Sequence, residues 1–297
     1  MRCRSCIGLI AAAFLAGTAW TAAAATAELV CSFVWADPAP KFGGISGFDL
    51  ARDGLTFRAV EDTGMTFAGK LARDADGCAT AVRRGRIVPL RWQDGGPLPE
   101  DQSDAEGLAL DPGAGFVVSF EGVTRADRYA RPDATAERLI WDFDTRDYNI
   151  NEGFEALARS DNGWLYLVPE LPPRGQHRFP LFRLRGYVMD LVTHIRQDGY
   201  WRPTGADFGP DGKLYLLERD YWGFVGFMSR VRRFTLDEDD QILREEILFE
   251  TRAGTHDNLE SIAVWRDDAG AIRLTLVSDD NFMPFQRTEI VDYRVKE

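Results

Sequence analysis

Basic surplus, histidine and long apolar runs are all scarce in this sequence. Lysine and arginine together number 35 against 47 aspartates and glutamates, a formal net charge of −12. That balance argues against nucleic acid as a partner, because a phosphate backbone is held by a basic face. Only three histidines exist, His177, His194 and His256, so a histidine-rich metal centre is excluded and a catalytic triad has few bases to draw on. Neither H-E-x-x-H nor G-x-x-x-x-G-K-[ST] occurs. The nearest approach to a nucleophile elbow, "GISGF" at residues 44–48, places Phe48 where the last glycine of G-x-S-x-G belongs. Ser46 then reads as a small residue at the start of a strand. Pro/Ser-rich linkers, low-complexity segments and long helical patterns are also missing, which leaves one domain.

What is present begins with an export signal. Arg2 and Arg4 precede the apolar run "IGLIAAAFLAG", and small residues end the segment at Ala25–Ala27. The run is short for a membrane span, so cleavage before Glu28 and a periplasmic or secreted location are expected, with no membrane attachment afterwards. Residues 1–27 carry two arginines and no acid, and their loss takes the net charge from −12 to −14. Two of the four cysteines, Cys3 and Cys6, leave with the signal. Cys31 and Cys78 remain, and in an oxidising compartment they are predicted to pair.

Residues 28–297 contain one pattern five times: an apolar strand, a polar turn and a second apolar strand. The copies are "GGISGFDLARDGLTFRAVED", "DAEGLALDPGAGFVVSFEG", "NEGFEALARSDNGWLYLVPE", "PTGADFGPDGKLYLLERD" and "DNLESIAVWRDDAGAIRLTLVSDDN". Ser46, Glu106, Glu155, Thr204 and Glu260 hold equivalent places, at intervals of 60, 49, 49 and 56 residues. Such a period fits one four-stranded propeller blade, and the spacers hold signals for two outer strands each. After the last copy only one good strand remains, "TEIVDYRV", so the mature N-terminal strand "ELVCSFVW" is expected to complete that blade. The fold class is therefore all-β, a β-propeller of five blades closed by its two chain ends. Six blades are the alternative, with the longest interval as the place for an extra one.

In each hairpin the start of the first strand lies beside the end of the second. This arithmetic groups Glu106 with Glu121, Glu155 with Glu170, Thr204 with Glu218, Glu260 with Asp279 and Asp280, and Ser46 with Glu61 and Asp62. All should crown one channel mouth, flanked by Asp104, Asn151, Asp257, Asn258 and Asn281. Carboxylates so placed raise one another's pKa unless cations or donors answer them. Glu106, Glu121, Glu155, Glu170, Glu218, Glu260 and Asp279 are the candidate ligands, and their hard oxygens suit calcium, or magnesium, better than zinc. Each strand-opening Glu has a competing role as a staple that accepts backbone N–H bonds from the next blade. Arg202, Arg219 and Arg287 are candidates for holding substrate. Tyr221, Trp222, Phe224 and Phe282 either line a pocket or pack between blades.

The segments "FGGISGF", "DAEGLAL", "PTGADFGPDGKLYLLERD", "SRVRRF", "GTHDNLESIAVW" and "SDDNF…FQRTEIVDY" resemble the phytase-like family, described as having "esterase-like activity of phytase". The resemblance spans nearly all of the mature chain. It implies an exported bacterial β-propeller that hydrolyses a small phosphorylated or ester substrate. Metal-assisted phosphoester hydrolysis by a monomer is the enzyme reading, with Glu106, Glu155, Glu260 and His256 as candidate catalytic groups. A propeller that binds a cation or ligand without turnover is the alternative.

Overall fold

Residues 25–38, 42–139 and 153–297 of the chain are described by a computed structural model. Five antiparallel sheets stand in a ring. Blade one runs outward from the axis as β2 (Ile45–Leu50), β3 (Thr56–Glu61), β4 (Met65–Arg73) and β5 (Ala79–Arg84), with β6 (Val88–Pro89) also on β4. Blade two is β7 (Ala105–Leu110), β8 (Phe116–Phe120), β9 (Arg125–Tyr129) and β10 (Glu137–Leu139). Blade three comprises β11 (Ala156–Arg159), β12 (Leu165–Val168), β13 (Arg178–Arg185) and β14 (Val188–Arg196). Blade four comprises β15 (Arg202–Phe208), β16 (Leu214–Tyr221), β17 (Phe227–Leu236) and β18 (Ile242–Glu250). Blade five takes β19 (Asn258–Arg266), β20 (Ile272–Asp279) and β21 (Glu289–Lys296), and its outermost strand is β1 (Thr26–Val34) from the other end of the chain. Five repeats thus give five blades, and the extra length of the first interval goes into β6 and the loop after it. Asn151 lies outside the described residues.

Each inner hairpin alternates buried apolar side chains toward its two neighbours, so the core is divided among the seams between blades. Leu274 and Val291 of blade five meet Tyr215 and Leu217 of blade four. Phe57 and Phe67 of blade one meet Val277 and Ile290 of blade five around Trp35. Similar clusters fill the seams of blades three and four, two and three, and one and two. The inner hairpin turns all use Gly, with an acid or amide before it at Gly54, Gly163 and Gly212. At Gly212 and Gly270 the chain turns at φ +72° and +86°, a region that glycine enters without a Cβ penalty.

Ring closure follows from β1. It pairs antiparallel with β21 from Thr26↔Lys296 to Val34↔Glu289, with one irregularity between Leu29 and Cys31. The pairing takes in Thr26 and Ala27, ahead of the expected cleavage point, and Ala25 is buried in the seam. A Cys31–Cys78 disulfide, Cα atoms 5.9 Å apart, ties this strand to the start of β5. Beside it Asp292 of β21 accepts from the Ala79 N–H at 2.9 Å and pairs with Arg73 at 2.8 Å. The seam between the first and last blades is therefore closed by a ladder, a covalent bond and a buried ion pair.

Two stability predictions follow from this geometry. Removing the bridge in a Cys31→Ser, Cys78→Ser double variant should destabilise by about 4 kcal/mol in the chain-entropy model, read from urea denaturation midpoints. An unchanged midpoint would show that the clasp does not restrain the unfolded chain. Gly205 has no positive φ, yet a Cβ there would stand 2.6 Å from the Glu260 carbonyl of the next inner strand. Gly205→Ala should therefore lower stability by roughly 1–3 kcal/mol through overpacking, and a neutral result would mean that the inner strands are free to move apart.

Candidate site at the acidic mouth of the channel

A local irregularity decides where the mouth acids point. In β2, β15 and β19 the ladder skips one residue: Ile45 pairs Glu61 and Gly47 pairs Val60, Pro203 pairs Glu218 and Gly205 pairs Leu217, Leu259 pairs Ser278 and Ser261 pairs Val277. The residues left over are Ser46, Thr204 and Glu260. In β7 the ladder passes from Ala105↔Phe120 to Leu108↔Val118, so Glu106 falls in the same kind of bulge. Glu155 immediately precedes the first pair of β11, Ala156↔Val168. A bulge leaves its residue unpaired and re-aims the side chain. The motif residue of each repeat is thus released from the regular alternation just where the strand meets the axis.

The following residue must be small. Gly47, Gly107, Ala156, Gly205 and Ser261 occupy these places, and a Cβ on Gly47 or Gly107 would come within 2.6 or 2.7 Å of the Glu106 or Glu155 carbonyl. Hydroxyls join the strands across the same gap. Ser46 donates to the Ala105 carbonyl, Ser119 to Phe154 at 2.6 Å, Thr204 to Leu259 at 3.3 Å, and Ser261 to Ser46 at 2.8 Å. The axis below the mouth encloses a cavity of only about 10 Å³, room for about one water molecule. Ligand chemistry is confined to the mouth.

At the mouth the acids crowd. Carboxylate oxygens of Asp104, Glu106 and Glu121 lie within 4.8 Å of one another. Burial first, then the charges of Glu155, Glu260, Asp104 and Glu121, push the Glu106 carboxyl well up from its ordinary pKa. Glu155 is raised by burial and by Glu170, against the pull of Arg219. No hydrogen bond from a described residue reaches the carboxylate of either Glu106 or Glu155. The staple role has passed to the Ser and Thr hydroxyls here, and at the opposite end of the inner strands to Asp49 and Asp207. These accept from the backbone N–H of Leu110 at 2.8 Å and of Val264 at 2.6 Å.

Arg219 answers part of the charge. Its guanidinium lies 2.5 Å from Glu260 and 3.4 Å from Glu170, and it donates to Asn258 at 2.6 Å. Burial lowers its pKa, but Glu260, Glu155 and Glu170 outweigh that and hold it cationic. Arg202 meets Glu170 at 3.2 Å. Further round the ring, burial and then Glu260 push Asp279 up to about 8. Burial with Asp62 carries Glu61 to about 7, and burial with Asp104 carries Asp62 to about 6. Glu61 Oε1 and Asp62 Oδ1 are buried and accept nothing from the described residues.

Glu218 is set apart from these acids. Neighbouring residues of a strand face opposite ways, so when Arg219 turns to the mouth Glu218 turns into the blade. There it is fully buried, and Arg230 and Arg232 hold its two oxygens at 2.5–2.7 Å. Two guanidiniums with three hydrogen bonds answer its charge there, apart from the mouth acids. His256 is also buried; it shares a 2.8 Å hydrogen bond with the Tyr293 hydroxyl, lies 4.0 Å from Glu289, and its pKa is lowered, first by burial. His194 lies on the outermost strand of blade three and His177 just before β13.

Beside the mouth, between blades four and five, opens a cavity of about 1280 Å³. Arg202, Arg219 and Arg287 all line it, together with Glu170, His256 and Asn258. Its sides are Tyr221 at the end of β16 with Trp222 and Phe224 beyond it, and Met283 and Phe285 after β20. Phe282 instead covers Gly44, whose Cβ would collide with the ring at 2.4 Å.

Residues 40–282 match the model of the phytase-like family described as "Esterase-like activity of phytase". The chain belongs to this family. Among solved structures, this phytase-like propeller is similar to virginiamycin B lyase from Staphylococcus aureus, at 11% identity over 89% of this chain and 73% of that one, TM-score 0.43. It is also similar to the calcium-binding protein regucalcin from Agrobacterium tumefaciens, at 14% identity over 84% and 75%, TM-score 0.44. At this distance neither lyase chemistry nor calcium binding carries over. No curated protein matches the sequence.

The mouth acids of this family member make its stability depend on pH. An acid whose folded pKa exceeds its unfolded value holds its proton more tightly when folded, so its contribution is complete below about pH 4 and is lost as pH rises through the folded value. In chelator, the melting temperature should therefore fall between about pH 5 and pH 8 as Asp62, Glu61 and Asp279 ionise. Asp279→Asn, which stays neutral, should flatten the upper part of that fall. A profile that rises over the same range would contradict the crowding of these groups.

Proposed function

We propose that the protein is an exported, monomeric hydrolase that cleaves a small phosphoester at the acidic mouth with the help of a divalent cation, calcium in first place. The observation that carries this is the convergence of Asp104, Glu106 and Glu121 to within 4.8 Å, beside a cavity that Arg202, Arg219 and Arg287 line. The donor set fits a hard cation: it is all carboxylate, and Glu106 lacks a hydrogen-bond donor among the described residues that would compete. Asp104, Glu106 and Glu121 would hold the ion, with Glu155 in its field. When bound, calcium would neutralise phosphate oxygens and favour deprotonation of water.

The chain's own groups supply the rest. Arg202, Arg219 and Arg287 orient the phosphate through their N–H donors. A Glu155 carboxylate oxygen, its proton affinity raised by burial and by Glu170, takes the proton of the attacking water. As the water oxygen bonds to phosphorus, the bond to the alcohol oxygen breaks. That oxygen keeps the electron pair and takes a proton from a neighbouring protonated acid, giving alcohol and phosphate. Export is supported by the N-terminal segment and by the Cys31–Cys78 bridge. Among the described residues no helix is long and apolar enough to cross a membrane.

A binding role without turnover is favoured by one feature: Arg219 already neutralises Glu260 and part of Glu170, as a permanent counter-ion would. Thermal melts with calcium, magnesium and chelator separate these readings. A cation at one hundred times its Kd should stabilise the fold by about 2.7 kcal/mol, and Glu106→Gln should erase that gain. Hydrolysis of p-nitrophenyl phosphate should need calcium and be lost in Glu155→Gln. If calcium raises the melting temperature while no phosphate or carboxylate ester turns over, the site is a binding site. If no cation shifts the melt, the metal reading fails.

A further inference from the structure

The aromatic side chains beside the mouth are placed as few soluble proteins place them. Phe224 is fully exposed, Phe285 is 80% exposed, Tyr221 65% and Trp222 57%, and all line one opening. Contiguous exposed apolar surface of this kind marks a binding site. The two loops that carry it are held in shape by their own hydrogen bonds. In the first, Trp222 N–H donates to the Gly226 carbonyl at 3.0 Å and the Trp222 ring N–H to Asp220 at 2.9 Å. In the second, Asp257 accepts from the Gln286 side chain at 3.2 Å and the Arg287 N–H at 3.0 Å. Asn281 and Phe282 there take φ of +46° and +52°, a conformation that a bulky residue holds only where its surroundings impose it.

The charges that line the cavity set a limit on its ligand. Three arginines, Arg202, Arg219 and Arg287, are matched by three acids, Glu170, Asp220 and Asp257. A ligand with several phosphates would need a cationic surplus, and none is present. The guanidinium edges open to a phosphate in this cavity are those of Arg202 and Arg287, whose side chains are 47% and 52% exposed. That one group would occupy a small part of about 1280 Å³. The remaining space faces aromatic rings.

We propose that the substrate is a phosphomonoester of a large apolar or aromatic alcohol, its phosphate at the arginines and its apolar part between the Tyr221–Phe224 and Met283–Phe285 walls. This choice of substrate rests on the hydrolase reading above, but its binding test does not require turnover. Titration calorimetry on the full chain compares 1-naphthylmethylphosphonate, which cannot be hydrolysed, with methylphosphonate and with inositol hexakisphosphate. The naphthyl compound should bind at least about tenfold tighter than either. Phe224→Ala with Phe285→Ala, both at exposed positions and so compatible with folding, should remove that advantage and leave methylphosphonate binding unchanged. Equal binding of the three, tighter binding of the hexakisphosphate, or an advantage that survives the double substitution overturns the proposal. Release of 1-naphthol from 1-naphthyl phosphate supports both readings together. Tight naphthyl binding with no release upholds the ligand class while the hydrolase reading fails, and hydrolysis of p-nitrophenyl phosphate without a naphthyl preference has the opposite meaning.

Discussion

The close approach of five inner strands around one axis is the constraint on which the rest of the molecule depends. Backbone meets backbone there, so the residue after each mouth position is Gly, Gly, Ala, Gly or Ser. The same crowding leaves room for only about one water molecule below the mouth and turns the bulged residue toward the axis. The acids are therefore brought together by the packing of strands whose own side chains have nowhere else to go. Their mutual repulsion is tolerated because the seams between blades, each with its own apolar cluster, supply the stability.

Arg219 shows how the ring manages its charge. One guanidinium spans blade four to blade five and blade three, reaching Glu260 and Glu170, while carboxylate oxygens of Asp104, Glu106 and Glu121 converge to within 4.8 Å of one another. The mouth is consequently polarised. The Arg219 side adjoins the arginine-lined cavity, and on the other side burial and the surrounding acids make Glu106 hold its proton more tightly. A substrate phosphate and its counter-ion would meet along that boundary.

Much of this was legible in the sequence, because repetition and ring closure are properties of the order of residues. The period, the five blades and the missing last strand follow from counting, and the pairing of Cys31 with Cys78 from the oxidising compartment that the N-terminal segment led us to expect. Most of the mouth was legible too, since Glu106, Glu121, Glu155, Glu170, Glu260 and Asp279 fall at hairpin ends. Glu218 escaped because counting along a hairpin locates a strand end but does not choose a face. The signal that could have placed it is the next residue: when Arg219 is the cation that the acids require, alternation sends Glu218 the other way. The bulges were also hidden, although the small residue after each mouth position is their trace. Asp49 and Asp207 went unnoticed because they lie three residues beyond the mouth position, at the end of the strand where no charge was sought.

The clasp between first and last blades has a consequence for how the molecule comes into being. Its seam joins the first described strand to the last, over nearly the whole length of the chain. During synthesis β1 emerges before the other described strands, yet its ladder partner β21 arrives when almost everything else has been made. Four blades can assemble in sequence from contacts between neighbours, while the opening strand waits with its edge uncovered. Completion of the ring is then a single late event, in which β21 pairs with a strand that the disulfide ties to blade one.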